Sequence, residues 1–206
     1  MKGRFITFEG GEGAGKSTQA RLLAEALQMA GHEVVITREP GGTAGAEAIR
    51  GLLLACDGHD WGPRAEALLF AAARADHVER LIRPALTRGA WVICDRYLDS
   101  SRAYQGGAGG LSDEDILALH GIGSEGLLPD LTLLLTLDPD LAQRRLKLRD
   151  AGQADRIGGR AVAYHAKVAQ AFERMAAEAP ERFVRIEAAG APEKVHALVM
   201  AALERM

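Results

Sequence analysis

The sequence has few cysteines and lacks a long apolar run. Cys56 and Cys94 stand far apart, without the close spacing of a metal site, so we expect buried free thiols in a reducing compartment. No window approaches the roughly 20 apolar residues that a membrane span requires. The N-terminus also lacks an apolar stretch of signal-peptide length. These absences predict a cytoplasmic protein with no membrane partner.

A strong charge of one sign is also missing. The formal net charge is only -3, although 26% of the residues are charged, so the sequence predicts no nucleic-acid partner. The six histidines are scattered, and we expect none to bind a metal or to act in catalysis. Because 48% of the 206 residues are hydrophobic, the chain can bury one core, and we interpret residues 1–206 as a single domain.

Short apolar runs alternate with longer segments of helical periodicity. Five runs are predicted strands: residues 5–8, 34–36, 91–94, 131–137 and 183–186. The inner runs are apolar on both faces, as in a buried parallel sheet. This alternation predicts an α/β fold in which a parallel sheet of about five strands is flanked by helices.

Two segments do not fit this pattern. Residues 105–110 read QGGAGG, and we expect a loop there because glycine is too permissive for the interior of a helix or strand. Residues 144–160 hold six basic and two acidic side chains, a local excess of four positive charges in a chain of net charge -3. A function is expected for so basic a segment.

Residues 10–18 read GGEGAGKST and contain the P-loop pattern, between a predicted strand and a predicted helix. Glycine lets backbone N–H groups turn inward around phosphates, Lys16 can reach the β- and γ-phosphates, and the Ser17 hydroxyl can bind Mg²⁺. The loop therefore predicts ATP binding. The residues expected to bind ATP are Gly10, Gly11, Glu12, Gly13, Ala14, Gly15, Lys16, Ser17 and Thr18.

A second magnesium ligand is expected at the end of the third predicted strand. Asp95 directly follows the run at 91–94, where a carboxylate can hold the metal or its waters, so Ser17 and Asp95 are the candidate metal ligands. The chain lacks the Asn-Lys-x-Asp stretch that reads guanine in regulatory GTPases. This absence argues against that class of nucleotide-binding protein.

Four further stretches have a specific resemblance. TREPGG at 37–42, LLFAAAR at 68–74, DRY at 95–97 and SSRAYQGG at 100–107 resemble thymidylate kinase, over nearly the whole chain and in the expected order. The resemblance implies a P-loop NTPase fold and the phosphorylation of dTMP to dTDP by Mg·ATP in dTTP biosynthesis. It also implies a homodimer.

The resemblance assigns roles in dTMP binding to several of these residues. Phe70 and Arg74 are four residues apart, so on a helix they share a face. The resemblance implies that Phe70 stacks on thymine and Arg74 bonds to a thymine carbonyl. By the same resemblance, Arg38 and Arg96 bind the dTMP phosphate, Ser101 and Gln105 contact the thymine edge, and Tyr104 packs below the deoxyribose.

Catalysis in such an enzyme requires cations more than a base. The acceptor phosphate has a second pKa of about 6, so it is already nucleophilic at neutral pH. Lys16, Arg96 and Mg²⁺ can stabilise the transferred group, and the resemblance implies that a lid at about 145–160 adds an arginine. Arg149 is the first choice because it precedes an Asp-Ala-Gly turn, with Arg145 and Arg156 as alternatives.

Two acidic residues accompany the phosphate loop. Glu12 is a candidate catalytic and dTMP-binding residue, because a carboxylate can accept a hydrogen bond from the sugar 3′-hydroxyl or hold a water on the metal. The resemblance favours the sugar, and the residues alone leave both roles open. Glu9, at the end of the first predicted strand, is interpreted as structural support.

Two other functions stay open at this point. One is a sibling nucleoside-monophosphate or deoxynucleoside kinase, and the other is a regulatory or assembly module that holds ATP without phosphorylating a small molecule. The predicted helix at 64–82 is apolar around much of its circumference, which favours packing on a second subunit.

Overall fold

The computed structural model describes residues 3–55, 61–150 and 156–205, with side chains omitted at 147–150. Five strands form one parallel sheet in the order β2-β3-β1-β4-β5. The strands are β1 (Arg4–Glu9), β2 (Val34–Arg38), β3 (Trp91–Asp95), β4 (Leu131–Thr136) and β5 (Phe183–Glu187). The α/β prediction is therefore confirmed.

Helices connect these strands in the expected alternation. The α-helices are α1 (Lys16–Met29), α2 (Ala44–Leu54), α3 (Pro63–His77), α4 (Arg83–Thr87), α5 (Leu98–Ser101), α6 (Asp113–Ser124), α7 (Pro139–Asp150), α8 (Val162–Glu178) and α9 (Pro192–Leu203). Two π-helical turns, Val78–Ile82 and Arg102–Ala108, continue α3 and α5. None of the helices in the described ranges has the length and apolarity of a membrane span.

The sheet is buried because helices cover both of its faces. On one face, Ile6 and Leu133 pack with Leu23 of α1 and Val199 of α9. On the other, Val92 belongs to a second apolar cluster with residues of α3, α4 and α6. The inner strands are apolar on both sides for this reason.

Several helix ends follow local signals in the sequence. The Ser112 hydroxyl accepts a hydrogen bond of 3.1 Å from the backbone N–H of Asp115 and so caps α6. Gly31 has a φ of +87° just beyond the end of α1. Pro192 occupies the first turn of α9. These ends could be predicted because each signal lies within a few residues of the helix that it terminates.

The prediction of a glycine loop at 105–110 was wrong for most of that segment. Residues 102–108 form a π-helical turn that runs on from α5, and the side chain of Gln105 is buried within it. A Cβ atom built on Gly107 would lie 2.6 Å from the Cβ of Ala171 in α8. The glycine therefore permits a close helix contact instead of a flexible loop.

The sheet order brings three loops together at the carboxyl ends of neighbouring strands. In the strand register, Asp95 lies beside Phe8 of β1 on one side and Arg38 of β2 on the other. The loops after β1, β2 and β3 are therefore neighbours at the carboxyl ends of the strands, where open α/β sheets bind their ligands.

The packing of β4 leads to a stability prediction. Leu133 is 0% exposed where the sheet packs on α1 and α9, so Leu133→Ala should lower the free energy of unfolding by about 2 to 5 kcal/mol. Leu128→Ala is the matched control, because Leu128 is 50% exposed and its truncation should cost about 0.5 kcal/mol or less. Urea denaturation measures both. Equal losses would contradict the assignment of Leu133 to the core.

Candidate active site

The phosphate loop is held in a conformation that requires glycine. Gly10 has a φ of +130°, and a Cβ there would lie 2.3 Å from the carbonyl oxygen of Leu135. Gly13 has a φ of +73°, and its Cβ would lie 2.8 Å from the carbonyl oxygen of Ala142. The loop leads directly into α1, so the positive end of that helix points at an anion held in the loop.

Lys16 is already positioned beside this loop. Its Nζ atom donates hydrogen bonds of 3.2 Å to the carbonyl of Gly10 and 2.7 Å to that of Gly11. The residue is only 7% exposed. Burial, and then the nearby charge of Arg96, lower the pKa of Lys16 to about 8. A phosphate would stabilise the charged ammonium at this position.

The two candidate metal ligands are in contact. The Ser17 hydroxyl, at the start of α1, hydrogen-bonds to Oδ2 of Asp95, at the end of β3. Hydroxyl and carboxylate oxygens are ligands that suit Mg²⁺. Within the described ranges there is no cluster of three or more histidine, cysteine or acidic residues that could hold a metal. This donor set therefore fits a magnesium ion that also binds phosphate and water.

Arg96 points into the same corner of the site. Its backbone φ is +69°, a strained value for a residue other than glycine. One Nη1 donates to the Gly10 carbonyl at 3.0 Å and to the Ser100 hydroxyl at 3.2 Å. The guanidinium carbon lies 5.0 Å from the centre of the Tyr104 ring, within cation–π range. Backbone strain at a ligand site is a recognised sign of function.

Glu9 holds the turn that follows Arg96. Its carboxylate accepts hydrogen bonds of 2.8 Å from the Tyr97 N–H, 3.2 Å from the Ser100 N–H and 2.6 Å from the Ser100 hydroxyl. Burial, and then the charge of Asp99, raise the pKa of Glu9 to about 7. These contacts agree with the interpretation of Glu9 as structural support.

Arg74 is held by a buried network. Its Nε atom donates to Oε2 of Glu39 at 2.7 Å, and one Nη2 donates to the Tyr97 carbonyl at 3.1 Å and the Ser101 hydroxyl at 2.9 Å. The second oxygen of Glu39 lies 3.0 Å from Nδ1 of His77. Nε2 of His77 lies 2.7 Å from the Thr37 hydroxyl. These hydrogen bonds hold the Arg74 guanidinium in one position.

One cleft of about 550 Å³ joins these groups. Its lining includes most of the residues singled out in the sequence, and the side chain of Arg145 as well. They are Glu12, Gly13, Gly15, Lys16, Ser17, Thr18, Arg38, Phe70, Arg74, Asp95, Arg96, Ser101, Tyr104 and Gln105. The predicted phosphate loop and the residues predicted to bind dTMP therefore line the same cleft.

A family model described as "Thymidylate kinase" matches residues 8–199. The chain belongs to the thymidylate kinase family. It is therefore an enzyme of the kinase class, and the reaction of this family is the phosphorylation of dTMP to dTDP by ATP. The family resemblance seen in the sequence is confirmed.

Individual thymidylate kinases match over almost the full length. The thymidylate kinase of Rhizorhabdus wittichii is 58% identical over 203 residues, which cover 98% of each chain. That of Rhodopseudomonas palustris is 50% identical over 197 residues, 95% of this chain and 86% of the relative. The crystal structure of thymidylate kinase from Ehrlichia chaffeensis has a TM-score of 0.81 at 32% identity, covering 98% and 100% of the two chains.

The structure describes the side chains of two of the three candidate lid arginines, Arg145 and Arg156. Arg145 lines the cleft, and its Nη2 is 3.5 Å from the carbonyl of Gly190. Arg156 donates to the Leu53 carbonyl at 2.9 Å and to Glu66 at 2.6 Å. The backbone of Arg149 belongs to α7, but its side chain lies outside the described residues. The choice of Arg149 stays a prediction.

Arg38 has a contact outside the cleft as well as a place in its wall. It lines the cleft and pairs with Glu47, with 3.1 Å between Nη2 and Oε1.

The buried Cys94 is a free thiol, as expected, and donates to the Arg96 carbonyl at 3.0 Å. Cys56 lies outside the described residues.

Sequence reasoning missed two residues that hold Arg74 in place, of which Glu39 lines the cleft itself. Glu39 is part of the TREPGG stretch but received no role, and His77 was one of six scattered histidines. A signal was available on α3, because Glu66, Phe70, Arg74 and His77 recur at intervals of three or four residues. That spacing places all four on related positions of the helix surface.

The Arg74 network leads to a prediction about Glu39. Glu39→Gln removes the charge that compensates buried Arg74, so we expect the free energy of unfolding to fall by about 3 kcal/mol or more and KM for dTMP to rise. The matched control is Glu33→Gln, which breaks an exposed pair with Arg88, with 2.6 Å between Nε and Oε1. It should cost about 1 kcal/mol or less. Urea denaturation and steady-state kinetics check both, and similar losses would refute the network.

Proposed function

We propose that this thymidylate kinase transfers the γ-phosphoryl group of Mg·ATP in a single in-line step to the 5′-phosphate of dTMP. The observation that supports this is the shared cleft, which is lined both by Lys16, proposed to bind ATP, and by Arg74, proposed to bind thymine. Two polyanions held in one space, with cations between them, are the requirement of phosphoryl transfer.

On the donor side, the phosphates of ATP bind in the loop at residues 10–18. The backbone N–H groups and Lys16 bind the β- and γ-phosphates, as the loop geometry favours. Ser17 and Asp95 would hold Mg²⁺, which would supply charge neutralisation at the phosphate oxygens. The contact between these two side chains supports this assignment.

On the acceptor side, the thymine base lies between Phe70 and the polar groups of the π-helical turn. Arg74 donates to a thymine carbonyl, and Ser101 and Gln105 contact the base edge. Tyr104 packs below the deoxyribose, and Glu12 accepts a hydrogen bond from the 3′-hydroxyl. Their places on the wall of one cleft support these roles.

The chemical step needs no general base in this arrangement. The dTMP phosphate is largely a dianion at neutral pH, since its second pKa is about 6. Arg38 and Arg96 bind that phosphate, and Lys16 and Arg96 stabilise the transferred group. The convergence of Lys16 and Arg96 on the Gly10 carbonyl supports this, because it holds two cations within one corner.

A lid over the ATP supplies one further cation. We assign this role to Arg149, in the basic segment at about 145–160. Arg145 is on the same helix and lines the cleft, which supports a role for α7 beside the bound ATP. Arg145 and Arg156 are the alternatives.

The enzyme acts as a homodimer in the cytoplasm. Leu68 on α3 is 56% exposed, which is a large apolar exposure on a helix that also forms the acceptor wall. Packing on a second copy would cover it. Sedimentation velocity of the purified chain measures the assembly state, and a monomer at micromolar concentration would refute this assignment.

The first kinetic experiment compares acceptors and arginines together. ADP release with Mg·ATP should be fastest with dTMP among dTMP, AMP, GMP and CMP. Arg149→Ala should lower kcat by about 10³-fold or more, because it removes a cation that acts on the transferred phosphoryl group. Arg144→Ala is the matched control, since Arg144 is an exposed arginine of the same helix and should leave kcat unchanged.

The outcomes of this experiment separate the alternatives. Loss of turnover in Arg145→Ala but not in Arg149→Ala would move the role to Arg145. Another monophosphate as the preferred acceptor would favour a sibling kinase. Tight ATP binding without acceptor-dependent ADP release would favour a regulatory module.

A further inference from the structure

Glu66 has a place in the site that the mechanism above does not use. It lies on α3, four residues before Phe70 and eight before Arg74, so the three side chains follow one face of the helix. Its own side chain is only 3% exposed. Glu66 therefore lies directly behind the wall that is proposed to hold the thymine base.

The carboxylate of Glu66 is shared between two kinds of donor. Oε1 accepts a hydrogen bond of 2.9 Å from the amide nitrogen of Gln105. Oε2 accepts hydrogen bonds of 2.6 Å from Arg156 and 2.5 Å from Arg160. Burial raises the pKa of Glu66, but hydrogen bonds from Gln105 and Arg156, and the charge of Arg160, outweigh burial and lower it.

An ionised carboxylate accepts hydrogen bonds and donates none. The Gln105 amide must therefore turn its NH₂ group toward Glu66. The carbonyl oxygen of Gln105 then lies on the side of the amide that faces away from Glu66. Because Gln105 lines the cleft, this oxygen faces the cleft. The cleft wall presents a hydrogen-bond acceptor at this point.

The pyrimidine bases differ in what such an acceptor would meet. Thymine carries an N3–H donor between its two carbonyl oxygens, whereas cytosine has an unprotonated N3 that is itself an acceptor. A fixed acceptor next to N3 satisfies thymine and repels cytosine. A site discriminates most strongly between two substrates when the wrong one leaves a buried polar group without a hydrogen-bond partner.

We propose that Glu66 is a positioning residue that fixes the Gln105 carbonyl toward thymine N3–H and so selects dTMP against dCMP. This inference rests on the proposed place of the thymine base in the cleft. Gln105 makes the contact with the base, and Glu66 sets which end of the amide makes it.

Arg156 and Arg160 make the orientation of the Gln105 amide depend on a single atom of the side chain at position 66. In Glu66→Gln, Arg156 and Arg160 can bond only to the amide oxygen of the new side chain, because both are donors. The new NH₂ group then faces Gln105, whose amide must reverse and present its own NH₂ group to the cleft. The substitution thus exchanges an acceptor for a donor at the base edge without a change in volume.

The test compares kcat/KM for dTMP and dCMP in the wild type and in Glu66→Gln. We expect kcat/KM for dTMP to fall by roughly 10- to 100-fold, mainly through KM. That for dCMP should stay the same or rise, so the ratio between the two substrates falls. Glu173→Gln is the matched control, since Glu173 forms an exposed pair with Arg185, with 2.8 Å between Oε2 and Nε. It should keep the wild-type ratio.

The result distinguishes this inference from the proposed function. A wild type that does not prefer dTMP overturns the proposed function and this inference with it. A wild type that prefers dTMP, with an unchanged ratio in a folded Glu66→Gln variant, overturns this inference alone. Equal losses with dTMP and dCMP would show a merely structural role for Glu66 and would also overturn it.

A second measurement applies to the unaltered protein if Glu66→Gln fails to fold. The side-chain amide protons of Gln105 are assigned in an NMR spectrum by their loss in Gln105→Met. We expect them to exchange slowly with water, and to remain slow when dTMP is added, because they face buried Glu66. Rapid exchange, with or without dTMP, would overturn the inference.

Discussion

The energetic cost of burying charge is the constraint on which this site depends. Lys16, Arg74, Glu9 and Glu39 are all buried at the carboxyl edge of the sheet. Removing an ion from water costs several kcal/mol unless hydrogen bonds and an opposite charge replace the water. Lys16 donates to two carbonyls of its own loop. The partners of Arg74, Glu9 and Glu39 come from other parts of the fold, so these three groups are stable only once the fold has assembled correctly.

This constraint also explains why the site is pre-organised. Arg74 is held by Glu39, which is held in turn by His77, so the guanidinium has little freedom to move. Glu9 fixes the turn that contains Tyr97 and Ser100 in the same way. Groups that are already oriented lose little conformational entropy when a substrate binds. Catalysis by positioning depends on this small entropy loss.

The sequence was sufficient for features whose cause is local. The strands could be predicted from runs of apolar residues, and the phosphate loop from glycines at fixed spacing before Lys16. The pairing of Arg74 with Glu39 spans 35 residues, and that of Arg160 with Glu66 spans 94. Such pairs depend on which helix faces which loop, and no local pattern records that. The segment at 105–110 was misread for the same reason, because the contact with Ala171 is made only in the fold.

The contact between Gly107 and Ala171 has a consequence for how the size of the accepted nucleotide could change in evolution. The π-helical turn that presents Tyr104 and Gln105 rests on α8 at this glycine, where even one methyl group would not fit. The separation between that turn and α8 is therefore limited at this point by the backbone of the glycine. Tyr104, which lines the cleft, also packs on Phe172 of α8, with 6.5 Å between the ring centres. A larger residue at position 107 would push the turn away from α8 and move the wall of the cleft, so a residue that does not itself line the cleft influences its width.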